Sequence, residues 1–360
     1  MTSSIFFGFD HTAARVALAN QTLERAMRLG PDRGEAHLAA AWIYYDCYLD
    51  YNRARAELDI ARRTLPNEPF VFALTGYIDR RQGRWKELIS NLECALEIDP
   101  RNVLILTQLS GSYKNLRRFT EMGDVLDRTL AIIPADAMVR VARAFVDLDA
   151  SADTAPLRAT IHDVVTEDPN AGEAIADHWF HFALCEGDAA EVTRALAFIS
   201  PEGDTLANVR MPRNVFEGIA ARARGDSATA RAAFTAARAE MEKIVTEQPD
   251  YAEALCMLGV IDAGLGRKGE ALTEGRRAVE LLPPTKDAIT GAELMTFLAI
   301  IYAWTGEKDL ALKELTSLLE IPGFHLSYGH LRLHPYWDPL RGDPRFDKIV
   351  EESKKPVALE

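Results

Sequence analysis

The chain is 360 residues long, with a formal net charge of −13, a pI near 5.2 and four cysteines. Such an acidic balance argues against a nucleic-acid surface, which needs a basic footprint. Cys47, Cys94, Cys185 and Cys256 stand far apart with no Cys-x-x-Cys pair, so a zinc module or a disulfide framework is not expected and a reducing compartment fits.

The first residues, MTSSIFFGFD, have no basic region ahead of a short apolar run, unlike a signal peptide. The longest apolar run, Leu294 to Trp304, is too short to span a bilayer. We therefore expect a cytoplasmic chain without membrane insertion. Leu359 and Glu360 read as a cloning scar, which suggests a piece of something longer.

From His11 to Gly30 an amphipathic helix carries Ala19, Leu23 and Ala26 on one face and closes at Gly30–Pro31; residues 1–34 read as a capping half repeat. The apolar SIFFGF ahead of it is expected to fold onto the first full unit. That unit covers 35–68 and departs from the pattern at Trp42, where a small residue is normal, so its helices must splay or re-pack. The stretch 69–102, PFVFALTGYIDRRQGRWKELISNLECALEIDPRN, is the clearest unit. Phe72, Ala73 and Gly76 share one helix face, and Leu88, Leu92 and Ala95 share another. Gly76 is small where the partner helix approaches, and Asp99–Pro100 ends the second helix. A third unit covers 103–136.

The three units keep register. Pro66, Pro100 and Pro134 lie 34 residues apart, as do Leu58, Leu92 and Leu126. A 34-residue period of paired helices resembles the tetratricopeptide repeat, in which each hairpin buries its apolar stripe only by stacking on the next. Residues 35–136 form three regular units, and 137–210 form degenerate ones in which Pro156 sits where a helix-interior alanine would be. Three further units occupy 211–323, the first with a second helix running about two turns long, to Gln248. Residues 324–360 form a cap. Its HPYWDPLRGDPRFDKIV resembles the tail after repeat arrays in bacterial signalling proteins, where an adenylate cyclase or protein kinase domain precedes the repeats. Asp338–Pro339 and Asp343–Pro344 each read as an N-cap followed by proline. The fold expected is an all-α, right-handed superhelical solenoid with a helical C-terminal cap.

In such a fold the first helix of each unit lines the inner face. The inward residues are mostly apolar, which suits a peptide or an amphipathic helix. Beside them Arg80, Arg81, Arg84, Lys114, Arg117 and Arg118 form a basic cluster suited to an acidic segment. The groove residues singled out are Phe70, Tyr77, Arg80, Arg81, Lys114, Asn115 and Phe145. Asp177, His181 and Cys185 are spaced four apart on one helical stripe and are weak metal candidates, because three ligands on one straight helix rarely converge on an ion. His330 and His334, also four apart, are half a metal site at best. No phosphate loop, GxSxG or paired-carboxylate motif occurs, and neither a cofactor nor catalysis is expected. The partner expected is a protein or peptide of acidic character, with a second copy of the chain as another option. Two alternative readings are a regulatory module of a larger cyclase or kinase, and a small-molecule site around His181.

Overall fold

The computed structural model describes residues 13–206, 209–323 and 326–359, so SIFFGF lies outside the described residues. The chain divides into two compact bodies, Met1–Leu106 and Thr107–Glu360. Both are built from antiparallel helix hairpins.

The first body holds α1 (Ala13–Leu29), α2 (Gly34–Asp46), α3 (Tyr51–Thr64), α4 (Pro69–Arg81) and α5 (Trp85–Ile98), and the division between bodies falls within α6 (Val103–Asn115). Caps and breakers set these limits. The Asp50 carboxylate accepts the Arg53 amide at 3.0 Å to start α3, and Pro69 occupies the first turn of α4, where no amide donor is needed. Gly83, at φ 75°, turns the chain after α4.

Packing follows the sequence stripes. Leu58, Ala61, Leu74, Leu88, Leu92 and Ala95 are buried, each larger aliphatic contributing about 1.5–3 kcal/mol. A Cβ on Gly76 would stand 3.2 Å from both the Leu88 carbonyl oxygen and the Asn91 Cβ, so α4 and α5 touch nearly backbone to backbone there. Trp42 is accommodated by re-packing: its ring meets Tyr45 and Tyr77 edge-on, with centroids 6.1 and 6.0 Å away. The buried Asp79 carboxylate accepts from Arg55 (2.6 Å), Arg84 (2.8 Å) and Asn91 (2.9 Å), tying α3, α4 and α5 together.

The second body continues with α7 (Phe119–Leu130), α8 (Ala137–Ser151), α9 (Ala155–Glu167), the short α10 (Ala171–Ala174), α11 (Ala176–Glu186) and α12 (Ala189–Phe198). Strands β1 (Asp204–Leu206) and β2 (Val209–Met211) follow, paired antiparallel with Asp204 opposite Met211. Then come α13 (Arg213–Ala223), α14 (Ser227–Glu247), α15 (Ala252–Gly264), α16 (Lys268–Leu281), α17 (Thr290–Trp304) and α18 (Lys308–Leu318). The C-terminal cap consists of α19 (Tyr328–Leu333), a 3₁₀ helix (Pro335–Leu340) and α20 (Pro344–Glu352). One continuous apolar core runs through this body from Val141 to Val350.

Three local expectations change. Pro156 lies in the first turn of α9, not its interior, so the missing amide costs no helical bond. Asp338–Pro339 sits inside the 3₁₀ helix, and the cap of that helix is His334, whose Nδ1 accepts the Tyr336 amide at 3.3 Å. The β1–β2 hairpin, where only degenerate helical units were expected, joins α12 to α13. By contrast α14 does run 21 residues to its C-cap at Gln248, and Asp343 does cap α20 by accepting the Arg345 amide at 2.9 Å.

Candidate functional site

The sequence-derived groove residues divide between the two bodies. In the first body, Tyr77, Arg80 and Arg81 lie on the last turns of α4, and Phe70 lies half-buried at its start. The Arg80 guanidinium sits 5.4 Å from the centre of the Tyr77 ring, and Arg81 Nε donates to the Tyr45 hydroxyl at 3.4 Å. The Tyr77 hydroxyl, Arg80 Nε and Asp46 Oδ2 are all buried without a hydrogen-bond partner among the described residues. Burial raises the Asp46 carboxyl to about 7 despite the opposing charge of Arg81, and raises the Tyr77 phenol above its ordinary value. This is a small aromatic patch with two unmatched donors and one unmatched carboxylate oxygen.

In the second body Lys114, Asn115 and Phe145 are engaged by the chain itself. Lys114 pairs with the buried Asp149 at 3.3 Å and lies 5.2 Å from the centre of the Phe145 ring. Asn115 is buried, and its carbonyl accepts the Gly323 amide at 3.1 Å. The neighbouring Arg117 is buried too: Nε donates to the Lys355 carbonyl at 2.9 Å and Nη2 to the Leu319 carbonyl at 2.5 Å. The Leu116 carbonyl accepts the Val357 amide at 2.9 Å. The α6–α7 turn is therefore a seat for the segments on both sides of the cap. Of the remaining basic cluster, Arg84 binds Asp79 and Arg118 binds Glu121.

The cap itself packs across α8 and α11. Gly329 makes this possible, because a Cβ there would lie 1.8 Å from the Leu148 carbonyl oxygen. Ser327 caps α19 and donates to the Asp149 carboxylate at 2.5 Å. Tyr336, Trp337, Leu340, Phe346 and Ile349 are buried, and the Trp304 indole donates to the Tyr336 carbonyl at 3.1 Å.

Seating the cap in this way brings His181 of α11 together with His330 and His334. The three ring centroids stand 4.7 to 5.0 Å apart, and one nitrogen from each ring lies within 4.8 Å of the others. His330 and His334 are buried, and His181 is partly exposed. Trp337 Nε1 donates to His330 Nδ1 at 3.2 Å. Asp177 instead holds the adjacent His178 at 2.7 Å; burial raises its carboxyl, but the charge and hydrogen bonds of His178, with the charge of Lys114, together bring it below the ordinary value. Cys185 is a buried thiol whose pKa is raised by desolvation. Spacing along α11 pointed at His181, but its nearest chemical companions come from the cap. Two histidines four apart were the only sequence signal for them.

A cleft of about 450 Å³ opens elsewhere in the second body, lined by Arg222, Ser227, Arg231, Trp304, Tyr336 and Asp338 among others. The Arg222 guanidinium lies 4.3 Å from the Trp304 ring centre. Sequence reading passed over Arg222 because nothing local marks it. Among the described residues no helix is long and apolar enough to cross a membrane.

No protein-family model matches the chain, and no curated protein matches it. Solved structures do. The human IFIT1 dimer with m7Gppp-AAAA is 14% identical, with 97% of this chain and 87% of that one covered and a TM-score of 0.52. Yeast Tom70 is 12% identical, with 82% and 59% covered and a TM-score of 0.50. A tetratricopeptide repeat protein from Parabacteroides merdae is 14% identical, with 89% and 99% covered and a TM-score of 0.37. At such identities the likeness is one of fold. With the observed hairpins, the likeness to the first two structures gives this chain the fold of an α-helical solenoid of tetratricopeptide type.

Proposed function

We propose that the chain is a protein-interaction scaffold that captures a peptide or short helix on the first body, against the C-terminal turns of α2 and α4. The observation that carries this reading is the set of unmatched polar atoms on Tyr77, Arg80 and Asp46 beside the Trp42–Tyr45–Tyr77 rings. Leaving a buried donor or acceptor unpaired costs about 1–3 kcal/mol, and a ligand that supplies the missing partners recovers it. Tyr77 and Arg80 would donate to a carboxylate or a peptide carbonyl, and Asp46 would accept a peptide amide. Arg81 adds positive charge, which favours an acidic segment. The overall charge of −13 disfavours RNA as the occupant. Lys114, Asn115 and Phe145 belong to the second body, where Lys114 pairs with Asp149 and Asn115 accepts from Gly323.

The test is peptide selection from a displayed random library on the full chain, followed by fluorescence anisotropy of the recovered peptides. We expect Asp or Glu beside apolar residues. Tyr77→Phe and Arg80→Gln should each weaken binding about tenfold, one hydrogen bond's worth. Peptides that bind both variants as tightly as the unmodified chain would overturn the assignment.

A further inference from the structure

We propose that His181, His330 and His334 bind a divalent transition-metal ion of the zinc type, and that this ion fastens the C-terminal cap to α11. His330 and His334 are four residues apart, so α19 and its C-cap present both rings from one side. The α11 helix brings His181 to the same place, from 149 residues earlier in the chain. The offered nitrogens already lie within 4.8 Å of one another. Tetrahedral zinc with Zn–N bonds of about 2.0–2.1 Å needs them about 3.4 Å apart, and ring rotations about Cβ–Cγ can close that gap.

The donor set selects the ion. Three imidazoles suit zinc, nickel, cobalt or copper, and leave coordination positions for water on the partly exposed His181 side. No carboxylate belongs to the group, so calcium and magnesium, which need oxygen ligands, are excluded. Negative charge stands one layer out. Asp177 is one turn before His181 on α11, and Asp149 is bonded to the Ser327 cap of α19. In His330 and His334 the Nδ1 atoms accept from the Trp337 indole and the Tyr336 amide, and the proposed donor to the ion is Nε2. Coordination there moves each ring proton to Nδ1 and releases these two hydrogen bonds, both at the long end of the normal range. Metal loading is thereby coupled to the environment of Trp337.

The experiment uses the full chain, stripped with EDTA and titrated with cobalt(II) and zinc chloride. We expect one equivalent to bind, with the visible absorption of a four-coordinate cobalt site and displacement of cobalt by zinc. The indole N–H resonance missing from Trp337→Phe should shift on loading. His181→Ala, whose fold is checked by circular dichroism, should lose more than the about 10- to 100-fold that removal of an outer partner costs. His162→Ala, at an exposed surface histidine, should bind normally. Zinc should raise the melting midpoint of the unmodified chain and not that of His181→Ala. Failure of the unmodified chain to bind one equivalent would overturn the proposal without reference to any variant. So would equal affinity in His181→Ala, which would mean binding by surface histidines only. Neither result bears on the peptide surface of the first body.

Discussion

Arg117 fastens both flanks of the cap to the α6–α7 turn, and replacing it measures how firmly the second body is closed. Its two hydrogen bonds to carbonyls, each from a charged donor, contribute about 1.5–3 kcal/mol apiece. Burial pulls its pKa from 12.5 down to about 10, which at about 1.4 kcal/mol per unit marks a desolvation cost of about 3 kcal/mol. The net loss in Arg117→Ala is therefore about 2 kcal/mol. Arg117 also sits in the left-handed region at φ 53°, a conformation that costs a non-glycine residue about 1–2 kcal/mol. Arg117→Gly relieves that strain while losing the same bonds, so it should be the milder change by about 1 kcal/mol. The assay is hydrogen exchange at the Gly323 and Val357 amides, which donate to the Asn115 and Leu116 carbonyls. Exchange there should quicken about 30-fold in Arg117→Ala, the equivalent of 2 kcal/mol, and clearly less in Arg117→Gly. A change under threefold in the alanine variant, or a glycine variant that exchanges faster than alanine, would refute this account of the seat.

Two further outcomes follow from single groups. Burial, reinforced by the charge of Asp262, raises the Glu274 carboxyl from 4.5 to about 8. Between those values the folded chain holds a proton that the unfolded chain releases, so this contribution is full below about 4.5 and fades as pH rises through about 8. Urea midpoints should fall from pH 5 to pH 8, and Glu274→Gln should flatten that slope; an unchanged slope would assign it to other groups. Gly329→Ala places a methyl against the Leu148 carbonyl, and overpacking of this kind costs about 1–3 kcal/mol or more. Limited proteolysis should then cut near Gly323 and release the cap, whereas an intact cap at wild-type protease levels would show that α8 can give way.

The 34-residue period, the helix pairs and most of their ends could be read from the sequence because they rest on local physics. Apolar spacing at three and four selects a helix face, and proline, glycine and aspartate mark where helices begin and stop. Gly76 is a case in which residue size alone foretold a close helix approach: a Cβ there would stand 3.2 Å from the Leu88 carbonyl oxygen. Local rules also misplaced features. Pro156 looked like a broken interior because the helix start at Ala155 lacked a side-chain cap to announce it. Asp338–Pro339 imitated the Asp343–Pro344 cap, although only the second pair begins a helix. A buried aspartate with arginines 24 residues before and 5 after recurs at Asp79 and Asp262. That spacing crosses from one hairpin to the next, so a search within one unit cannot find it.

By itself, then, the sequence determined the repeating hairpin and the faces along which hairpins stack, since both follow from residues within one or two turns of each other. Only the tertiary structure decided where the cap goes. Its return to residues 115–117 and across α8 gives Asn115 and Arg117 partners on both flanks of the cap, contacts that no spacing in the chain announced. The same return set His181 beside His330 and His334. Contacts across 149 or more residues depend on the summed geometry of every intervening hairpin, and no periodicity in the chain records that sum.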